Sequence, residues 1–345
     1  MLIRISMLMF FLVASACTQQ GFYLPEERQV FQQNRASINK VVDILWVVDN
    51  SSSMQSSQDA LGKNLKSFID KFDDRGLNFQ MAFTTTDAYR ASFNANPQLS
   101  IFKDGSDSTG HSGIKIITNN TPNINNIFLT NAQVGINGDG DERAFISIKE
   151  TLTNAANQNF LRPNSFFSVI IISDEDDFSW DGSDSLQGNI RDSRIHTVDR
   201  YVDFLKSFTF STQPNDNKFS VSAITILDQA CYDILHANTT GQKIGYRYMD
   251  LVKKTGGTLA SLCSDFSNSL DSISGKILEL ITQFKLNRIP DIETIKVFVD
   301  DKEVIQGETN GWTYDAVANA ITFHGAAVPG EGQKVAIDFM PLTAK

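Results

Sequence analysis

Residues 42–54 have the sequence Val-Asp-Ile-Leu-Trp-Val-Val-Asp-Asn-Ser-Ser-Ser-Met, an apolar run that ends at Asp49 and is followed by Ser51 and Ser53. A continuously apolar run predicts a strand buried on both faces, as in a parallel sheet. Such a strand brings one carboxylate and two hydroxyl groups to its carboxyl end. Hard oxygen donors suit a small hard cation such as Mg²⁺. The alternative interpretation is a Ser-rich turn that binds no metal.

Apolar runs and amphipathic segments alternate through the predicted main domain, residues 41–288. Predicted strands cover residues 42–48, 79–85, 114–117, 166–173 and 219–227, and predicted helices cover 54–72, 141–156, 198–208, 246–254 and 266–284. This alternation predicts an α/β fold with a doubly wound, mostly parallel sheet, whose ligands bind at the carboxyl ends of the strands. Because the run 166–173 ends at Asp174, we expect Asp49 and Asp174 at the same sheet edge.

The composition changes at Pro290. Residues 294–299 alternate apolar and polar side chains, and short strands are predicted at 321–323 and 335–339. Residues 290–345 are therefore predicted to form a small β-sandwich-like module. Its length is marginal for an independent core, so we expect it to pack against the main domain.

The N-terminus predicts export. Arg4, the apolar stretch 5–13 and the small residues before Cys17 are typical of a secretory signal. The segment resembles a bacterial lipobox, so residues 1–17 are predicted to be a lipoprotein signal with Cys17 lipidated, and residues 18–40 a tether. The expected location is the bacterial cell envelope, as an outer-membrane lipoprotein that meets the membrane through its lipid. Ordinary cleavage after Ala16 is the alternative and would give a secreted or periplasmic soluble protein.

The net charge and the cysteine content exclude some classes of partner and cofactor. The net charge is −10, and no Lys/Arg cluster offers the basic surface that nucleic acid requires. In an exported protein, Cys231 and Cys263 remain as an even pair once Cys17 is lipidated, which predicts a disulfide; two separate buried thiols are the alternative. Three Cys and four scattered His residues form no zinc-binding pattern.

The spacing Asp-x-Ser-x-Ser after an apolar strand resembles the metal-ion-dependent adhesion site of von Willebrand factor A domains. The chain is similar, over about residues 40–285, to bacterial lipoproteins with such a domain. The matching segments are Gly138-x-Gly140-x-Glu142, Asn-Phe-Leu-Arg-Pro and Ile-Ser-Asp-Glu-Asp-Asp. The resemblance implies that the hydroxyls of Ser51 and Ser53 bind the ion directly. It also implies that Asp49 and Asp174 bind the ion itself or its coordinated waters.

One metal ligand of the von Willebrand factor A family is replaced in this chain. Von Willebrand factor A domains usually supply a Thr from the loop that here contains Asp141 and Glu142. The similar lipoproteins have Glu at the position of Glu142, so Glu142 is the predicted ligand and Asp141 the alternative. An added carboxylate makes the ion less electrophilic and favours Ca²⁺ over Mg²⁺. Mg²⁺ is the expected ion, with Ca²⁺ and Mn²⁺ as alternatives.

Two acidic segments raise the possibility of calcium sites. Residues 137–141 match the start of an EF-hand loop, but Glu142 and Ile148 occupy its Gly and Glu positions, which excludes that motif. Residues 174–184 contain six acids and are predicted to form a solvated loop, with a second cation site as the alternative. Phe178 and Trp180 within the loop are either contact residues or core.

The predicted function is adhesion or protein–protein interaction, in which the bound ion captures an acidic side chain of a protein partner. Nothing in the sequence indicates an enzyme: there is no Gly-x-Ser-x-Gly motif, phosphate-binding loop or zinc motif. Two alternatives remain. One is an envelope scaffold or assembly subunit with a degenerate metal site, and the other is a metal-dependent hydrolase.

Overall fold

The computed structural model describes residues 26–32, 41–73, 77–186, 189–211, 218–237, 239–330 and 333–342. The strands are β1 (Glu27–Gln32), β2 (Val41–Val48), β3 (Asn78–Thr85), β4 (Gly105–Ser106), β5 (Gly110–His111), β6 (Ile116–Thr118), β7 (Phe166–Ser173), β8 (Phe219–Thr225), β9 (Leu259–Ser261), β10 (Gln283–Lys285), β11 (Lys296–Val299), β12 (Lys302–Val304), β13 (Gly311–Asp315), β14 (Ala320–His324) and β15 (Lys334–Phe339). The helices are α1 (Gln55–Lys63), α2 (Leu65–Asp73), α3 (Arg90–Phe93), α4 (Ile124–Ala132), α5 (Ala144–Thr153), α6 (Val198–Phe208), α7 (Gln229–His236), α8 (Tyr246–Thr255) and α9 (Phe266–Ile281).

The central sheet has six strands in the order β6-β3-β2-β7-β8-β9. Five strands are parallel to one another, namely β3, β2, β7, β8 and β9. The edge strand β6 pairs antiparallel with β3. The protein is thus a mixed α/β structure with a mostly parallel central sheet, consistent with a Rossmann-like arrangement. Strand β2 lies in the middle of this sheet, which explains why its sequence is apolar throughout.

Successive side chains of β2 enter different hydrophobic clusters. Ile44, Trp46 and Val48 join the cluster that includes residues of α1, α2, α4 and α9. Leu45 and Val47 join the cluster that includes residues of α5, α6 and α8. All five side chains are fully buried, and each contributes about 1.5–3 kcal/mol by leaving water. This two-sided burial fixes the register of β2 and therefore the position of the residues that follow it.

Helix boundaries differ from the sequence prediction where side chains bond to the backbone or to distant residues. The predicted helix 54–72 is two helices, because Asn64 ends α1 and its side chain donates to the Ala60 carbonyl at 2.8 Å. Helix α5 begins at Ala144 rather than 141, since Arg143 lies outside the helical region. Helices α4 and α7 were not predicted. Helix α4 starts after Asn123, a residue type that often precedes a helix, but Asn123 is in a left-handed conformation and its side chain does not cap the helix.

Strands β10 to β15, together with the N-terminal strand β1, form two antiparallel sheets around a separate hydrophobic cluster. Their orders are β1-β15-β11-β12 and β10-β14-β13. Strand β1 requires a correction, because residues 27–32 lie in the predicted tether yet pair with β15 from Glu27↔Phe339 to Gln32↔Lys334. The backbone groups of β1 pair with those at the edge of β15, which would otherwise be unpaired. The local sequence does not reveal this pairing. The boundaries 41–288 and 290–345 remain predictions.

The predicted disulfide is present between Cys231, on α7, and Cys263, just after β9, with a Cα–Cα distance of 5.6 Å. It connects α7 to the edge of the central sheet. Cys17 and the predicted signal lie outside the described residues. Among the residues described, no helix has the length and apolar character needed to cross a membrane.

Candidate metal centre

The carboxyl ends of β2 and β7 are neighbours in the sheet. Asp49 directly follows β2 and Asp174 directly follows β7. The Asp49 amide donates to the Ile172 carbonyl at 2.9 Å, so the pairing of the two strands extends to the first of these residues. The two carboxylates meet at the sheet edge where open α/β sheets bind ligands, as the sequence predicted.

Asp49 is fully buried and held by neighbours on both of its carboxylate oxygens. Its Oδ1 accepts from the Ser51 amide at 2.7 Å, and its Oδ2 accepts from the Ser173 hydroxyl at 2.7 Å. The hydroxyl oxygens of Ser51 and Ser53 lie 3.1 Å apart. The turn after β2 therefore brings one carboxylate and two hydroxyl groups together.

Glu142 lies beside this group and is completely buried. Neither Oε1 nor Oε2 has a hydrogen-bond partner. Burial raises the pKa of Glu142 well above its usual value, and repulsion from Asp49 adds to the increase. The Thr86 hydroxyl lies close enough to offset part of this shift in pKa, but it does not reach hydrogen-bond geometry.

Asp141, the alternative ligand, faces a different neighbour. Its Oδ2 accepts from Nε of Arg143 at 2.9 Å, and the same oxygen bonds the Arg143 guanidinium a second time. Arg143 is itself fully buried and lies 5.5 Å from the ring centre of Trp180. Asp141 thus neutralises a buried arginine, whereas Glu142 is the one close to Asp49.

Asp174 completes the group. Its Oδ2 accepts from Nε2 of Gln242 at 3.1 Å, while its buried Oδ1 has no hydrogen-bond partner. Burial raises the pKa of Asp174, and the hydroxyl of Ser53 is near enough to oppose that shift. The structure therefore brings together all five residues predicted from the sequence: Asp49, Ser51, Ser53, Glu142 and Asp174.

Three residues that orient this group were missed by the sequence analysis. Gln58 of α1 donates to the carbonyls of Asp49 at 3.0 Å and Gly135 at 2.8 Å. Ser173 and Gln242 hold the carboxylates of Asp49 and Asp174 as described above. Gln58 and Gln242 follow no recognisable spacing in the sequence. Ser173 directly precedes Asp174, so its position in the sequence could have identified it.

The prediction of a solvated acidic loop is wrong for its first half. Glu175, Asp176 and Asp177 are at most 3% exposed. Oδ2 of Asp177 accepts from the first turn of α5, at the Phe145 amide, at 2.9 Å, so the loop caps a helix N-terminus. Phe178 is fully buried and belongs to the interior. Only the second half, beginning near Trp180, reaches solvent.

Electrostatics make the metal-free arrangement unfavourable. Burial, together with repulsion from Asp174, raises the pKa of Asp49 to about 6. Three buried oxygens, two on Glu142 and one on Asp174, lack a donor. Among the described residues, no group of three His, Cys, Asp or Glu side chains is placed to hold an ion. The donor set at this edge is mixed, with hydroxyl as well as carboxylate oxygens.

Comparisons with known proteins give no family assignment. No protein-family model and no curated protein matches the chain. Among solved structures, it is similar to the pilus adhesin SpaC from Lactobacillus rhamnosus GG, with 15% identity, a TM-score of 0.40, and coverage of 86% of this chain and 38% of that one. It is similar to proximal thread matrix protein 1 from the mussel byssus, solved with a zinc-occupied MIDAS motif, with 12% identity, a TM-score of 0.37, and coverage of 75% and 52%.

A third similar structure is the pilus adhesin RrgA from Streptococcus pneumoniae, with 12% identity, a TM-score of 0.30, and coverage of 91% of this chain and 57% of that one. The chain thus spans less than two thirds of each of these three proteins. At TM-scores of 0.40 and below, we draw no functional conclusion from these similarities. The functional assignment depends on the geometry at the carboxyl ends of β2 and β7.

Proposed function

We propose that this protein is an adhesion or protein-interaction module that binds one divalent cation and, through it, an acidic side chain of a protein partner. The proposed ligands are Asp49, Ser51, Ser53, Glu142 and Asp174. The fold is proposed to be a doubly wound domain of the von Willebrand factor A type, and the function is binding rather than catalysis.

The observation that carries this proposal is the set of buried carboxylate oxygens without donors. Glu142 contributes two such oxygens and Asp174 one. A buried charge that lacks a partner costs several kcal/mol, and such groups in proteins are usually paired or coordinate a metal. A cation bound beside these oxygens removes this cost, and no described Lys or Arg side chain donates a hydrogen bond to them.

The surrounding residues would fix the ligands in place. Ser173 and Gln242 each hold one oxygen of a ligand carboxylate, and Gln58 holds the backbone of Asp49. Hydrogen bonds to ligands of this kind set their orientation and contribute to metal affinity. When bound, the ion would supply an electrophilic position that accepts a carboxylate oxygen from outside.

The proposed ion is Mg²⁺, with Ca²⁺ or Mn²⁺ as alternatives. The serine hydroxyls in the ligand set suit Mg²⁺. The carboxylates are the reason for the Ca²⁺ alternative, because they offset the charge of the ion and weaken its attraction for a further carboxylate. We further propose that the protein resides in the bacterial cell envelope, attached by a lipid on Cys17. Its partner there is a protein with an accessible Asp or Glu.

Calorimetry on the full chain tests the metal site. Titration with MgCl₂, CaCl₂ and MnCl₂ should show one site in the wild type, and Asp49→Asn, Ser51→Ala and Ser53→Ala should each weaken it at least about tenfold, because each removes a proposed ligand. Ser52→Ala is the matched control, since Ser52 is exposed between the two ligand serines. Equal affinities in all of these proteins would contradict the proposal.

Capture of an acidic partner needs a separate measurement. Short peptides containing one Asp should bind the metal-loaded protein and lose binding when the Asp is replaced by Asn or when EDTA is added. Peptide binding that is unchanged by EDTA would show that recognition does not pass through the ion. A bound ion with no peptide capture would contradict the proposed role of the ion in partner binding, whereas no bound ion at all would favour the scaffold alternative.

A further inference from the structure

A polar cleft lies beside the proposed metal centre, at the carboxyl end of β3. It has a volume of about 590 Å³, and its walls come from the segments after β2, β3 and α4 and from the segment that contains the β4–β5 hairpin. Asn50, which directly follows Asp49, and Asn137 form part of the wall. The cleft therefore borders two of the loops that carry proposed metal ligands.

The backbone of Lys103 is held firmly in the wall of this cleft. Its amide donates to the carbonyl of Phe83, in β3, at 2.9 Å. The preceding residue, Phe102, is 3% exposed, and its amide donates to the side chain of Asn157 at 3.2 Å. The side chain of Lys103 is half-buried, and that of Lys115, on the same wall, is exposed.

The other charged residues of the cleft already have charged neighbours within the protein. Nε2 of His111 lies 3.1 Å from Oδ1 of Asp107, and its Nδ1 lies 2.9 Å from Oδ1 of Asp104. These two contacts raise the pKa of His111. Oδ2 of Asp87 lies 3.7 Å from Nη1 of Arg90. Each acid of the cleft is therefore beside a basic side chain.

Lys103 and Lys115 are the exceptions. Neither ammonium group forms a hydrogen bond or an ion pair with a residue that the structure describes. Burial lowers the pKa of Lys103, and repulsion from Lys115 adds to the decrease, so the two positive charges are close enough to disfavour each other. Attraction from Asp87 and Asp104 opposes this decrease without cancelling it. An anion bound at the two lysines would relieve their repulsion and accept their hydrogen bonds.

We propose that this cleft binds a second acidic side chain of the partner whose first acidic residue the ion captures. A carboxylate forms charge-assisted hydrogen bonds with the ammonium groups of Lys103 and Lys115. The amide side chains of Asn50, Asn94 and Asn137 in the wall can both donate to and accept from a peptide backbone. The inference rests on the proposed function for its partner, but the lysine pair itself does not require the ion.

The charge distribution favours this side of the metal centre for an acidic partner. The protein has a net charge of −10, which repels an acidic segment from most of its surface. Residues 174–177, which follow β7, are four consecutive acids. Because the sheet order is β3-β2-β7, these acids and the lysine cleft lie on opposite sides of Asp49. A partner segment with two acids would therefore lie over the end of β3 and avoid the end of β7.

Nuclear magnetic resonance on the full chain tests the cleft without metal. The metal-free protein is dialysed into Tris buffer at low salt, because EDTA and phosphate are anions that would compete for the lysines and salt would screen them. Nα-acetyl-glutamate N-methylamide should shift the side-chain signals of Lys103 and Lys115 saturably. The glutamine analogue, which lacks the charge, should bind at least about tenfold more weakly.

Lys103→Met removes the charge but keeps an unbranched apolar side chain at a half-buried position, so the fold should be retained. It should weaken binding of the glutamate compound about tenfold, and Lys115→Met about two- to threefold because Lys115 is exposed. Lys302→Met, which removes an exposed lysine of β12, is the matched control and should bind like wild type. Equal binding of the glutamate and glutamine compounds, or equal binding by Lys103→Met and Lys302→Met, would overturn the inference.

A titration with metal present tests whether both sites act on one partner. Peptides with one Asp and, about two to five positions away, a Glu should bind wild type at least about tenfold more tightly than the same peptides with Gln in place of Glu. This gain should disappear in Lys103→Met and persist in Lys302→Met. No gain at any spacing would overturn the assignment to a single partner. Failure of the proposed metal site would be seen in calorimetry and would leave the metal-free titration to decide on the cleft.

Discussion

Replacing Glu142 by Gln should stabilise the metal-free protein while removing its response to metal. Glu142 is fully buried, its pKa is raised well above the usual value of 4.5 mainly by burial, and both of its oxygens lack donors. Folding therefore favours protonation of Glu142 relative to the unfolded chain. Gln has nearly the same shape and takes up no proton, so the variant avoids this cost.

The cost follows from linkage between protonation and folding. A group whose pKa is raised on folding contributes its full stability below the unfolded pKa, here 4.5, and loses it as the pH rises. Each pH unit above that value costs up to about 1.4 kcal/mol, which gives an upper limit of about 3.4 kcal/mol near pH 7. The stability difference between Glu142→Gln and wild type should therefore increase with pH.

Urea unfolding in EDTA at several pH values between about 5 and 7.5 measures this difference. Excess metal should reverse the order, since an ion present at about 1,000 times its Kd stabilises the wild type by about 4.1 kcal/mol, more than this upper limit, and the variant by much less. Glu303→Gln, at an exposed position, is the matched control and should show neither effect. A difference that does not vary with pH, or a variant that is less stable than wild type throughout in EDTA, would refute this reasoning.

Three further predictions concern the ion, the disulfide and the anchor. Because the pKa of Asp49 is raised to about 6, protons compete with metal below that pH, and calorimetry should show Mg²⁺ affinity falling up to about tenfold per pH unit there. Replacing Cys231 and Cys263, which are separated by 32 residues, with Ser should cost about 3–4 kcal/mol in urea unfolding; an unchanged midpoint would mean that the loop is restrained without the bond. Cys17→Ser should release the protein from the detergent phase and abolish palmitate labelling, and partitioning that survives this change would indicate another anchor.

The sequence was sufficient for the centre of the fold because local pattern and tertiary environment agree there. The apolar run of β2 requires burial on both faces, and this alone predicts a central position in a parallel sheet. The same reasoning puts Asp49 and Asp174 at adjacent strand ends. Where the backbone determines the position of a side chain so directly, the spacing of residues predicts a site.

Other features depend on contacts between distant residues and were missed. Residues 174–177 have the sequence of a solvated acidic loop. In the folded chain, however, Asp177 caps α5 and bonds Arg247, and these contacts offset the cost of burying its charge. Strand β1 pairs with a strand some three hundred residues away in sequence. Gln58 and Gln242 have ordinary sequence contexts, and only the meeting of separate elements gives them a role.

The contact between Arg143 and Trp180 allows tryptophan fluorescence to report on the proposed metal centre. The protein has three tryptophans, and two of them, Trp46 and Trp312, are at most 4% exposed inside separate hydrophobic clusters. Trp180 is partly exposed and stacks against Arg143, the residue that directly follows Glu142. Metal binding at Glu142 would thus change the fluorescence of Trp180, while the other two tryptophans serve as an internal reference. The fluorescence of the unlabelled protein would then report whether the site holds an ion.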